Sequence, residues 1–228
     1  LSGFVKLLDD QDFWFRNKAL DAHRKWANSP EELEPLMAKN KRLVAELLEK
    51  IPSPELANRL LSEDDHVIRS FAAKSLSKSE ELHSQFASDE HHSVRIIAAQ
   101  NSVEESLITL LIDDGHSSVR KAAIITANEN KMKLDDAVLK NALISSDPSL
   151  RSLAASLAVK SGGDILELAC KDSNPKVRKA IADTLRSEVD NVDSRIEMVS
   201  KICPEIVLRW LRLRYDSKSN SLRWSLIE

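Results

Sequence analysis

"HSSVRKAAIITAN", residues 116 to 128, reads as the opening of a helix. His-Ser-Ser stands before a Val, then comes Arg120, then the small residues Ala122 and Ala123. The same phrase returns as DHVIRSFAAKS, HHSVRIIAAQN, DPSLRSLAASLA and NPKVRKAIADTL, so that the Arg falls at 69, 95, 120, 151 and 178. The intervals are 26, 25, 31 and 27 residues. Weaker copies stand at Arg16 (DFWFRNKAL) and Arg42 (KNKRLVAEL), and a degenerate one at Arg209 (PEIVLRWL). A period of this length marks stacked helical units, each unable to bury its apolar face alone. The longer interval between Arg120 and Arg151 predicts an extended connection around ENKMKLDD, residues 129–136.

Each position in the phrase has a mechanical reason. Asp65, Ser93, Ser118, Asp147 with Pro148, and Asn174 with Pro175 precede the Arg and are expected to cap helix N-termini, where Pro is tolerated in the first turn. An aliphatic residue follows (Ile68, Val94, Val119, Leu150, Val177) and points into the core. Alanines three or four residues past the Arg, such as Ala72, Ala98, Ala123, Ala154 and Ala182, return to one helix face and let the next unit approach closely. Leucine-rich stretches upstream, such as ELANRLL and EESLITLLI, supply the second wall. The Arg itself opposes the helix dipole, so acids must compensate; Asp64, Asp65, Asp89, Glu90, Asp113, Asp114, Asp147 and Asp172 predict a structural Asp–Arg ladder.

The pattern L-x-x-L-A-x-D-x-x-x-x-V-R-x-x-A-A-x-N, with Pro opening units at SPEEL (29–33) and SPELANRLL (53–61), resembles the leucine-rich repeat variant family and the broader HEAT-like helical repeats. The resemblance spans about residues 10 to 210 and implies architecture. The expected fold is an all-α, right-handed solenoid of about seven to eight units of about 26 residues. It is expected as a single domain over 1–228, with 1–40 a capping repeat, 41–200 central repeats and 201–228 a closing segment. Some members of that family carry a cysteine-rich iron–sulfur segment; the needed cysteines are missing here, so no cofactor is implied.

Composition agrees. Of 228 residues, 42% are hydrophobic and 30% charged, enough for a packed core, and four Gly with 4% aromatics favour helix over sheet. A net charge of −3 gives no global pull toward nucleic acid or anionic membrane. No apolar run approaches the roughly 20 residues that cross a bilayer, and no signal peptide opens the chain. Opening at Leu1 reads as a fragment or a processed product. Cys170 and Cys203 form no metal or disulfide pattern and read as buried thiols of a reducing cytosol, giving a cytoplasmic expectation. Phe13, Trp14, Phe15 and Trp26 crowd the start, and Trp210, Tyr215 and Trp224 the finish; large rings at both ends suit the covering of terminal apolar faces.

Chemistry is sparse. His66, His92 and His116 hold nearly the same place in three successive units. At a helix spacing of roughly 8–10 Å they share no metal shell, and they read as polar turn residues. No serine sits in a G-x-S-x-G elbow and no Gly-rich phosphate loop exists; Gly162-Gly163 reads as a break between helices. No catalytic, metal or cofactor residue is nominated.

Two surfaces remain. Positions one and five past the Arg share a face and vary in chemistry, which predicts a partner-binding column at Lys74, Ile96, Gln100, Lys121, Ile125 and Lys179. Between 209 and 224, Arg209, Arg212, Arg214 and Arg223 interleave with rings including Trp224, a candidate nucleic-acid patch. The competing reading of that segment turns Trp210, Leu211 and Leu213 inward and leaves the arginines in water. The expected function is a non-catalytic scaffold holding another protein or a peptide in its groove. The alternative is a nucleic-acid or DNA-repair protein like the alkylpurine glycosylases built on helical repeats; a small-molecule enzyme or tetrapyrrole lyase subunit stands third.

Overall fold

The computed structural model describes residues 1–212 and 214–227, Ser2 by its backbone alone. Among them every regular element is a helix, from Ser2–Leu7 to Ser217–Ser225, and there is no strand. The chain divides into two compact units, Leu1–Thr126 and Ala127–Glu228.

In the first unit, helices Lys41–Leu47, His66–Ser75 and His92–Asn101 pack in succession, while Pro54–Leu60 and His83–Ala87 back them. The repeated alanines make this approach possible: Ala72, Ala73, Ala98 and Ala99 are all completely buried. The second unit repeats the scheme. Pro148–Ser161 packs on Pro175–Glu188, which packs on Pro204–Leu211, with Asp136–Leu143, Gly163–Cys170 and Ser194–Ile202 as the other layer. Ala154, Ala155 and Ala158 are again completely buried.

The caps follow one rule, four residues ahead of the Arg. Asp12, Asp65, Asp147 and Asn174 each accept from a backbone N–H two residues on, at 2.7–2.9 Å. In the two middle copies the place expected for Ser93 and Ser118 belongs to His91 and His116 instead. Their ring Nδ1 atoms accept from the Ser93 and Ser118 N–H groups at 3.2 and 3.3 Å. The serines lie inside the first turn, and their amides are the groups being capped.

The same rule separates true copies from look-alikes. Arg42 follows its cap, Asn40, by only two residues, and Val44 holds the Arg position, fully buried. Arg209 follows Cys203 by six, and Val207 takes that position. Neither arginine belongs to the ladder. The long connection is real: Ser117–Glu129 ends inside ENKMKLDD, Lys131 takes a φ of 58°, and the next helix begins at Asp136. Gly162 ends Pro148–Ser161 with a φ of 73°, a conformation that costs glycine little.

The terminal aromatics divide. Trp210 is buried and its indole N–H donates to the Val189 carbonyl at 2.9 Å. Leu211 is buried beside it, and the expectation for Leu213 lies outside the described residues. Phe13, Trp14, Phe15, Trp26, Tyr215 and Trp224 stay largely exposed, so they are not the buried plugs that end-capping predicts.

Candidate functional site

The recurring guanidinium has a double duty. In six copies Nη1 donates to the backbone carbonyls six and five residues earlier, from Asp10 and Gln11 for Arg16 to Asp172 and Ser173 for Arg178, at 2.5–3.2 Å. These carbonyls belong to the turn leading into the helix and would otherwise lack partners. The rest of the fork reaches the next repeat. Arg69 binds Asp89 through Nε and Nη2 at 2.8 and 3.0 Å, Arg95 binds Asp114 at 2.7 and 3.0 Å, and Arg151 reaches Asp172 at 2.7 Å.

Each acid is also bound by its own turn: Asp89, Asp114 and Asp172 accept from the N–H of His91, His116 and Asn174 at 2.7–2.8 Å. Burial pushes the Asp89 and Asp114 carboxyls up, but the Arg partner and the backbone donor outweigh it and hold both below the ordinary value. Arg69 is raised, chiefly through its hydrogen bond to Asp89.

Beside this ladder runs a column of imidazoles. His66 stacks on His91 with ring centres 3.5 Å apart and planes within 11°. His92 stacks on His116 at 3.8 Å and 8°, and His91 meets His92 at 4.3 Å. The expected spacing of roughly 8–10 Å is corrected here. The first helical residue of one repeat stacks diagonally on the cap of the next, and the adjacent pair His91-His92 joins the two stacks. Among the described residues no group of three or more His, Cys, Asp or Glu side chains is placed to hold a metal ion.

His91 and His92 are both held below the ordinary imidazole value. For His91 burial acts first, then His66, with Arg69 and Arg95 adding and Asp89 opposing; for His92 burial is followed by His116, His91, Arg95 and His66. The sequence signal was present, since His91 stands four residues before Arg95 as Asp65 stands before Arg69. Pairing His92 with His116 hid that register.

The proposed partner column is not a uniform surface. Lys74 pairs with Glu49 at 2.8 Å, Gln100 and Lys179 are exposed, and Ile96, Lys121 and Ile125 are half-buried. Serines of that column turn back on their own helices: Ser70 donates to Val67 O, and Ser152 to Pro148 O. At the end of the chain, Arg214 donates to the carbonyls of Val189, Asp190 and Trp210, and Arg223 to those of Leu211 and Arg214. Arg209, Arg212 and Trp224 are exposed.

No family model matches the chain, and no curated protein matches it. Among solved structures it resembles the crystal structure of YibA from Escherichia coli, with TM-score 0.58 and 17% identity over 92% of each chain, a likeness of fold. An engineered protein aligns over 99% of this chain and 94% of its own at 17% identity, with TM-score 0.29. Neither description names a protein, peptide or nucleic acid that is bound. The expectation of a groove-binding scaffold, and its DNA-repair alternative, is therefore corrected to a helical fold without an assigned function. Among the described residues no helix is long and apolar enough to cross a membrane.

Proposed function

We propose that this chain is a non-catalytic helical-repeat module whose first unit responds to acid through histidine-capped helices. One observation carries the reading: two successive helices are capped by imidazole nitrogens that stand in a four-ring stack. An Nδ1 that accepts a backbone N–H must be unprotonated, and protonating it turns an acceptor into a donor facing a donor. The charge arrives where Arg69 and Arg95 already stand, with Asp89, Asp114 and Glu90 as the opposing acids. At Asp65 and Asp147 the corresponding cap is a carboxylate oxygen.

The non-catalytic part rests on the use already made of reactive groups. The Cys170 thiol is pushed up to about 12 by burial and then by Cys203, and Cys203 donates its thiol to the Cys170 carbonyl at 3.0 Å. Two thiols held this way suit a reducing compartment, and we place the chain in the cytoplasm. The repeat phrase supports a place beside the leucine-rich repeat variants, with six copies that carry the Arg and two more in which Val44 and Val207 hold its position.

The test replaces the imidazole caps by an amide, which accepts without a titratable nitrogen, in His91→Asn with His116→Asn. Between about pH 7 and 5 the wild-type midpoint of thermal unfolding falls more steeply than that of the double variant. Equal slopes overturn the proposal. Because Asn is a good cap, loss of fold is not the expected outcome, and proton NMR titration of the ring signals reads the same event directly.

A further inference from the structure

Helices Ser2–Leu7 and Phe13–Trp26 line an open hollow of about 400 Å³ that neither the ladder nor the histidine column uses. Phe4, Leu7, Trp14, Phe15 and Trp26 form its walls. Trp14, Phe15 and Trp26 are 58%, 42% and 52% exposed, a large cost in water for one small region. The size lies within the roughly 300–1,000 Å³ of small-molecule pockets, and the walls have the usual apolar and aromatic character.

Two cations border these walls. The Lys18 amine lies 5.7 Å from the Trp14 ring centre and the Lys25 amine 5.5 Å from that of Trp26. Among the described residues neither amine has a carboxylate partner. Asp21 also borders the hollow, but Arg24 stands 3.8 Å from it and offsets its charge. An exposed ammonium over a ring gains little, so either amine can leave its ring for a better partner on its flexible stem.

We propose that this hollow binds a small organic anion with an aromatic body, the rings lying among Phe4, Trp14 and Trp26 and the acid group at the mouth between Lys18 and Lys25. The two halves of the site select the two halves of the ligand. A neutral body gains burial alone, and an inorganic anion finds only two solvated amines. An aromatic carboxylate or sulfonate takes both terms. A second copy of the chain would have to present an apolar projection carrying acid at its base.

The experiment titrates the whole chain with 2-naphthoate, with 2-naphthamide as its uncharged counterpart, and follows the indole N–H signals by NMR. Trp14 and Trp26 should shift saturably while Trp210 and Trp224 stay still. 2-Naphthoate should bind roughly five- to tenfold tighter than the amide, the worth of two exposed ion pairs. In the variant Lys18→Met with Lys25→Met that preference should vanish while binding of the amide persists. Equal affinity for acid and amide in the wild-type chain overturns the proposal without reference to any variant. So does the absence of saturation up to about 1 mM, or a shift of all four indoles together. Sedimentation equilibrium showing a dimer that 2-naphthoate does not dissociate assigns the hollow to a second copy and also overturns it.

Discussion

A guanidinium that closes two carbonyls and grips a carboxylate has few substitutes, and the Arg69–Asp89 pair shows how strongly position sets its worth. The side chains are 8% and 14% exposed, so removing either leaves its partner away from water. Asp89→Ala is expected to destabilise the chain by about 2–4 kcal/mol, because it leaves the buried Arg69 with only the exposed Glu90 as counter-charge and takes the acceptor from the His91 amide. The exposed pair of Lys39 and Asp9 is the control: Asp9→Ala should cost less than about 1 kcal/mol. Urea denaturation of both variants decides whether burial, rather than the count of ion pairs, ranks them. At this scale the arginines and acids were legible in the sequence, since opposite charges recurring at one interval must meet. The carbonyls five and six residues back were not, because a backbone acceptor leaves no trace in residue type.

Among elements, the decisive quantity is how near two helices come. Ala99 is completely buried on His92–Asn101, a helix that packs on both His66–Ser75 and His83–Ala87. Ala99→Leu should therefore cost roughly 1–3 kcal/mol through overpacking, read as a lower thermal midpoint with unchanged helix content. A neutral result would place Ala99 in solvent. The helices themselves could be read from the Ala and Leu spacing, down to the break at Gly162. Register could not always be read. Arg42 and Arg209 carry the right letter at the wrong distance from their caps, and only Val44 and Val207 in the core reveal it. The histidine column failed for a related reason: helix spacing bounds the distance between equivalent residues, whereas the rings here meet diagonally between neighbouring positions.

For the whole molecule the chain predicts two acid transitions. His91 and His92 sit below their ordinary value of 6.5 in the folded state, so the unfolded chain binds more protons as pH falls. Their contribution is complete above about pH 7 and is lost through and below the ordinary imidazole range. Asp89, Asp114 and Asp193 are also held low, and their contribution is present above about pH 4 and lost on further acidification. Urea midpoints measured from pH 7 down to about pH 3 should fall in two stages, and His91→Asn with His92→Asn should flatten the first while leaving the second in place. The exposed rings at the start of the chain were expected as plugs for a stack. Composition reveals that aromatics concentrate there, but not whether they face protein or water.

The reach of the arginine has one more consequence, for where such a chain can grow. From Arg16 to Arg178 the side chain spans the same five and six residues back, while successive copies in the strong series lie anywhere from 25 to 31 apart. The entry into each of these helices is thus metered by a side chain of fixed length, and one added residue would put two oxygens out of its grasp. The exit carries no such gauge. Insertions are tolerated downstream of a metered helix and refused just ahead of it, as the surplus stretch after Glu129 already records.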